Sequence, residues 1–195
     1  MGKAIVISGT PGTGKTSVAK ELSKRLNARY IELSSLVISK GLYEEFDKER
    51  GSYVINEELL KNYIRRVVTE SKGYVVIDSH YGEIIDDDII EKIFVLRLHP
   101  RELLSRLKSR GWPGRKIAEN VEAEIIGVCT YNAINEHPSY KVCEVDVTGK
   151  TVNEIVEFII KVLEGKCSCK VHVDWLSEQL EDVINELNRL YNIND

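Results

Sequence analysis

Residues 9–16 of the chain read GTPGTGKT, which meets every position of GxxxxGK[ST], the spacing that cradles a polyphosphate. Glycines at 9, 12 and 14 let the backbone turn its amides toward phosphate, and a following helix adds the positive end of its dipole. Lys15 is placed to reach the outer phosphates and Thr16 to ligate Mg²⁺ through its hydroxyl. Ser17 falls where a helix-start amide and hydroxyl bind phosphate, beside the amides of Gly12 and Gly14. The chemistry implied is binding of a nucleoside triphosphate with magnesium, then transfer or hydrolysis of its terminal phosphate.

Such a loop needs an acid for the magnesium shell, at the end of a neighbouring apolar strand. Asp78 closes the run YVVID at 74–78, and His80 stands one step beyond it. An imidazole there titrates near neutral pH and orients or deprotonates a nucleophile, or else serves as a structural hydrogen-bonding group. Arg106 and Arg110, four residues apart on one helix face before a Gly-Trp-Pro-Gly turn, are suited to closing over transferred charge. His99, His137 and His172 show no ligand spacing, and Cys167 with Cys169 is a weak soft-metal signal. GTP is disfavoured, because no Asn/Thr-Lys-x-Asp segment occurs.

The elements that must carry these groups alternate. A buried, β-branched strand at 4–8 precedes the glycine loop, and Val18, Leu22 and Leu26 recur at helical spacing after it. Further strands are expected at 29–33, 74–78, 93–98 and 142–147, with helices between them. That order predicts an α/β fold of the P-loop type: a five-stranded parallel sheet, helices on both faces, ligands at the carboxyl ends of the strands. Two insertions interrupt it. Residues 34–71 should contain a break at Gly51 and a helix after Asn56, and 101–140 a helix, the turn at 111–114 and another helix from about Lys116. The tail carries Val173, Leu176, Leu180, Val183, Ile184, Leu187 and Leu190 on one helical stripe, which predicts an amphipathic helix docked on the body.

With 195 residues, 43% hydrophobic and 30% charged, the composition is that of a globular chain with one core. A net charge of −4 gives no general basic footprint for nucleic acid, and no apolar run nears the roughly 20 residues of a membrane span. The early start of the first strand leaves no room for an export signal, so a cytoplasmic location is expected, with reduced thiols and no disulfide framework. The single glutamine, against many Ile, Val, Glu and Lys, is a bias of heat-stable proteins.

GTPGTGKT, the strand-end DSH at 78–80, RLKSRGW at 106–112 and ENVEAEI at 119–125 together resemble the atypical adenylate kinase family. Its eukaryotic member is adenylate kinase isoenzyme six, the coilin-interacting nuclear ATPase, and archaea carry homologues. The resemblance covers about residues 3–163. It implies a kinase domain over 1–165, with a nucleoside-monophosphate-binding insertion at about 31–54 and a lid at about 109–119, and a C-terminal helical extension over 166–195. It also implies ATP contacts at Gly12, Gly14, Lys15, Thr16, Ser17 and Arg110, with Lys150 cradling adenine, magnesium at Thr16 and Asp78, and Lys15, Asp78, His80 and Arg110 as the catalytic set. The activities implied are adenylate kinase (ATP and AMP to two ADP) and ATPase. The implied role is small-subunit rRNA maturation, through the ribosomal protein uS11. Where several relatives place an arginine for the AMP phosphate this chain has Ile38, and Lys40 lacks the bidentate fork. The usual cation for the AMP phosphate is thus missing there, and an ATPase-type assembly factor with little AMP kinase activity is the alternative.

Overall fold

In the computed structural model, which describes residues 1–47 and 52–192, seven strands and eight α-helices, besides three short 3₁₀ turns, follow in chain order. They are β1 (Lys3–Gly9), α1 (Lys15–Arg25), β2 (Arg29–Glu32), α2 (Leu33–Lys40), β3 (Tyr43–Asp47), β4 (Ser52–Ile55), α3 (Glu57–Glu70), β5 (Tyr74–Asp78), β6 (Ile90–Arg97), α4 (Pro100–Ser109), α5 (Gly114–Ile125), α6 (Val128–Glu136), β7 (Val142–Asp146), α7 (Val152–Leu163) and α8 (Glu181–Asn192). Five strands form a parallel sheet in the order β2-β5-β1-β6-β7. This is the sheet expected from the sequence, with helices on both faces.

Strand β1 is central and shows why its residues are β-branched. Ile5 and Ile7 enter one core with Val18 and Leu22 of α1, Leu103 and Leu107 of α4, and Val156 and Ile159 of α7. Ala4 and Val6 enter the other, with Leu60, Ile64 and Val68 of α3. Alternation within an almost wholly apolar strand thus fills two cores at once. Helix α3 begins after Asn56, whose side chain accepts from the Leu59 amide at 3.0 Å, as the sequence suggested.

Three features differ from expectation. First, β3 and β4 pair antiparallel as a separate two-stranded sheet. Its strands are largely exposed and acidic on β3, so no alternation of burial marked them in the sequence; the expected break at Gly51 lies outside the described residues. Second, Cys143 of β7 and Cys169 form a disulfide, with Cα atoms 5.4 Å apart. The expectation of reduced thiols fails because the tail runs back along β7, with Glu144 N donating to Lys170 O at 3.3 Å. That long-range return brings together two thiols 26 residues apart. Third, among the described residues of the tail the helix spans Glu181–Asn192. Val173 and Leu176 precede the helix in an irregular strap, because the amides of His172 and Val173 both donate at 2.7 Å to the Glu144 carboxylate. Among the described residues no helix is long and apolar enough to cross a membrane.

Candidate active site

The glycine loop leaves the carboxyl end of β1 and runs into α1, whose first residue is Lys15. Gly12 has φ 102°, and a Cβ there would lie 2.7 Å from Leu103 Cδ1 and 3.0 Å from Leu107 Cδ2. Only glycine serves at this point, since helix α4 presses on the loop from behind. The Thr10 carbonyl is a hub that accepts from Thr13 N at 3.2 Å, Thr13 Oγ1 at 2.9 Å and Lys15 Nζ at 3.2 Å. Burial lowers the Lys15 pKa from its ordinary value, against the opposing pull of Asp78 and, more weakly, Glu124.

Asp78 ends β5 in register with Ile7 of β1, which brings its carboxylate beside the loop. Its Oδ2 accepts from Thr16 Oγ1 at 2.6 Å and from the Tyr30 hydroxyl at 3.2 Å. Burial, then Asp78, raises the Tyr30 pKa, so that phenol remains a donor. A hydroxyl and a carboxylate within hydrogen-bond reach are the hard oxygen donors that Mg²⁺ takes from such proteins, with water completing its shell. The donor set at Thr16 and Asp78 fits that ion.

Gly12, Gly14, Lys15, Thr16, Ser17 and Arg110 line one cavity of about 130 Å³. Arg110 reaches it from the four-residue turn between α4 and α5, and its guanidinium has no partner among the described residues. Arg106, one turn earlier, is instead held by Glu102 at 2.5 Å. A second cavity, of about 290 Å³, is lined by Thr10 and Pro11 of the loop and by His80, Tyr81, Asn120, Cys129 and Asn132, among others. His80 packs against Tyr81 with ring centroids 3.9 Å apart and the planes inclined at 45°. Burial, followed by the charge of Lys15, pushes the His80 pKa down to about 4, with Glu32 opposing. The imidazole is therefore neutral at pH 7, where the sequence suggested titration near neutrality. Lys150 lies apart from both cavities, on the loop after β7, with Nζ donating to Asp146 O at 2.5 Å.

A further group of residues, not singled out from the sequence, supports the loop from below. Glu124 of α5 is 1% exposed. Its Oε2 accepts from Thr10 Oγ1 at 2.6 Å, and its Oε1 from Arg97 Nε at 2.8 Å and Trp175 Nε1 at 3.2 Å. Arg97, 3% exposed, also pairs with Glu144, which accepts from Thr130 Oγ1 at 2.6 Å. Buried charges persist only when paired and fully hydrogen-bonded. The signal was present in the pattern: Glu124 continues the apolar face of Ile117 and Val121, and Arg97 interrupts the otherwise apolar run at 93–98.

Residues 5–127 match the AAA domain family. Curated archaeal relatives carrying the name "Putative adenylate kinase" match over nearly the whole chain. That of Saccharolobus solfataricus is 37% identical over 187 residues, covering 95% of each protein. That of Thermococcus onnurineus is 39% identical, covering 94% of this chain and 96% of the relative. That of Methanocaldococcus jannaschii is 34% identical, covering 94% and 98%. Among solved structures, a gluconokinase from Sinorhizobium meliloti superposes with TM-score 0.55 at 16% identity, covering 84% of this chain and 92% of that one. A thymidylate kinase from Candida albicans gives 0.51, also at 16%, with the same coverage. At that identity the two superpositions speak for the fold.

Proposed function

Since the chain belongs to the family of these archaeal adenylate-kinase-named proteins and carries an AAA-type P-loop domain, we propose that it transfers the γ-phosphate of ATP to a nucleoside monophosphate, AMP first. The observation that carries this reading is the opposition of Arg110 to the phosphate-binding loop across one small cavity, with Asp78 hydrogen-bonded to Thr16 at its edge. Lys15 and the α1 amides bind the outer phosphates. Arg110 neutralises charge that spreads over the transferred group. Thr16 and Asp78 hold magnesium, which when bound draws electron density from the phosphate oxygens. His80, neutral at the mouth of the second cavity, orients the acceptor oxygen or a water molecule by hydrogen bonding.

The alternative is an ATPase that works as a small-subunit assembly factor through uS11, the partner that the resemblance to the atypical adenylate kinase family implies. One observation favours it: among the described residues, no arginine or lysine lines the second cavity, so a monophosphate entering there meets neutral groups. Coupled measurement of ADP formed from ATP plus AMP, against phosphate released from ATP alone, separates the two. ADP in excess of hydrolysis supports the kinase. ADP that only tracks phosphate release leaves the ATPase, for which an ATP-dependent complex with uS11 is then required.

A further inference from the structure

Helix α8 contributes no residue to either cavity, yet it lies across both arms of the hairpin that carries Arg110. On α4, Asp182 holds Arg101 with two bonds, from Nε at 2.8 Å and Nη2 at 2.7 Å, and Glu186 pairs with Lys108. On α5, the Tyr191 hydroxyl donates to Glu122 at 2.7 Å. Leu190 sits where α5 begins: a Cβ added to Gly114 would come 3.3 Å from the Leu190 carbonyl oxygen and 3.4 Å from its Cδ2. Val183, Leu187 and Leu190 are buried in the same core as Leu103, Leu107, Ile117 and Val121. Only residues 110–113 join the two arms, and Arg110 is the first of them.

A hinged lid needs its arms to move relative to one another or to the loop beneath. Here α4 is seated on Gly12 through Leu103 and Leu107, and α8 ties α4 to α5 by ion pairs at one end and apolar contact at the other. We propose that α8 is a positioning element of the nucleotide site: by spanning α4 and α5 it fixes the turn between them and so sets where the Arg110 guanidinium stands over the phosphate cavity. The proposal rests on the reading of Arg110 as a phosphate-closing group. It assigns the C-terminal helix a part in ATP affinity, beyond the burial of apolar surface.

A double-mutant cycle on the full-length protein tests it, with titration of a fluorescent ATP analogue in magnesium well below the unfolding temperature. Arg110→Ala should weaken binding about tenfold, the lower end of what a hydrogen bond to a charged group contributes. Leu190→Ala should weaken it several-fold, and the double variant should bind no more weakly than Arg110→Ala alone. Glu186→Gln, which leaves the core intact, should shift affinity in the same direction by less. Ile184→Ala, on the exposed face of α8, should bind like the parent. If Leu190→Ala costs the same factor with and without Arg110, or costs nothing, α8 is a stabilising helix only and the proposal is wrong. If Arg110→Ala itself binds like the parent, the phosphate-closing role falls, and the proposal with it.

Discussion

Breaking the Cys143–Cys169 bond should lower the unfolding temperature without emptying the nucleotide site. The two residues are 26 apart in sequence, and the chain-entropy relation for a loop of that size gives about 3.5 kcal/mol of stabilisation at 25 °C. An unfolding entropy of about 2.1 cal/mol/K per residue amounts to about 0.4 kcal/mol/K for a chain of this length, so the expected fall is about 8 °C. Cys169→Ala is the cleaner perturbation, because Cys143 is fully buried in β7 whereas Cys169 lies half-buried on the strap. Scanning calorimetry should show that fall for Cys169→Ala and a similar one for the parent in a strong phosphine reductant. Cys167→Ala should unfold like the parent and remain sensitive to the reductant. Binding of ATP at 25 °C should survive, since neither cysteine lines a cavity. Four titratable thiols in the native, unreduced protein, or an unfolding temperature indifferent to both reductant and Cys169→Ala, would refute the reasoning.

Gly12→Ala should abolish measurable ATP binding, read by the same fluorescence titration, because its methyl group meets Leu103 and its φ of 102° disfavours alanine; near-parental affinity would show that the loop rearranges freely. Glu124→Gln keeps an acceptor for Thr10 but takes one carboxylate from Arg97, and should cost on the order of 3 kcal/mol in denaturant unfolding. His80→Ala should retain ATP affinity and lose turnover, and lost affinity would instead place the ring in binding. The pH dependence has a definite sign. His80 has a folded pKa near 4 against an ordinary 6.5, so below pH 6.5 the unfolded chain takes up the proton first. Its contribution therefore destabilises the fold progressively as pH falls from 6.5 to 4 and is absent above that window. Unfolding temperatures of the parent and of His80→Phe should diverge between pH 7 and pH 5, with the parent losing more; parallel curves would contradict the neutral, buried imidazole.

Strands, glycine loop and strand-end acid were legible because each answers a local demand. β1 must be apolar on both faces, the loop must contain glycines, and Asp78 must close an apolar run. The groups that sequence reasoning missed answer long-range demands. Glu124 and Arg97 read as exceptions to pattern, and only the meeting of the last turn of α5 with the end of β6 shows that they satisfy each other and, through Thr10, the phosphate loop. The Cys143–Cys169 pair and the strap depend on a chain reversal that no periodicity encodes. The β3–β4 pair escaped for the opposite reason, since its exposed strands bury too little to impose a pattern. His80 was seen in place but not in character, because its pKa is set by burial and by Lys15, a neighbour 65 positions earlier.

On the proposed reading this loop, with Asp78 and Arg110, moves a phosphoryl group from ATP to a monophosphate. Incubation with ATP labelled at the γ-phosphate, AMP and magnesium follows that group directly. Label should appear in the β-phosphate of ADP, dependent on magnesium and lost in Lys15→Ala. Label recovered only as inorganic phosphate, whether or not AMP is present, would contradict it.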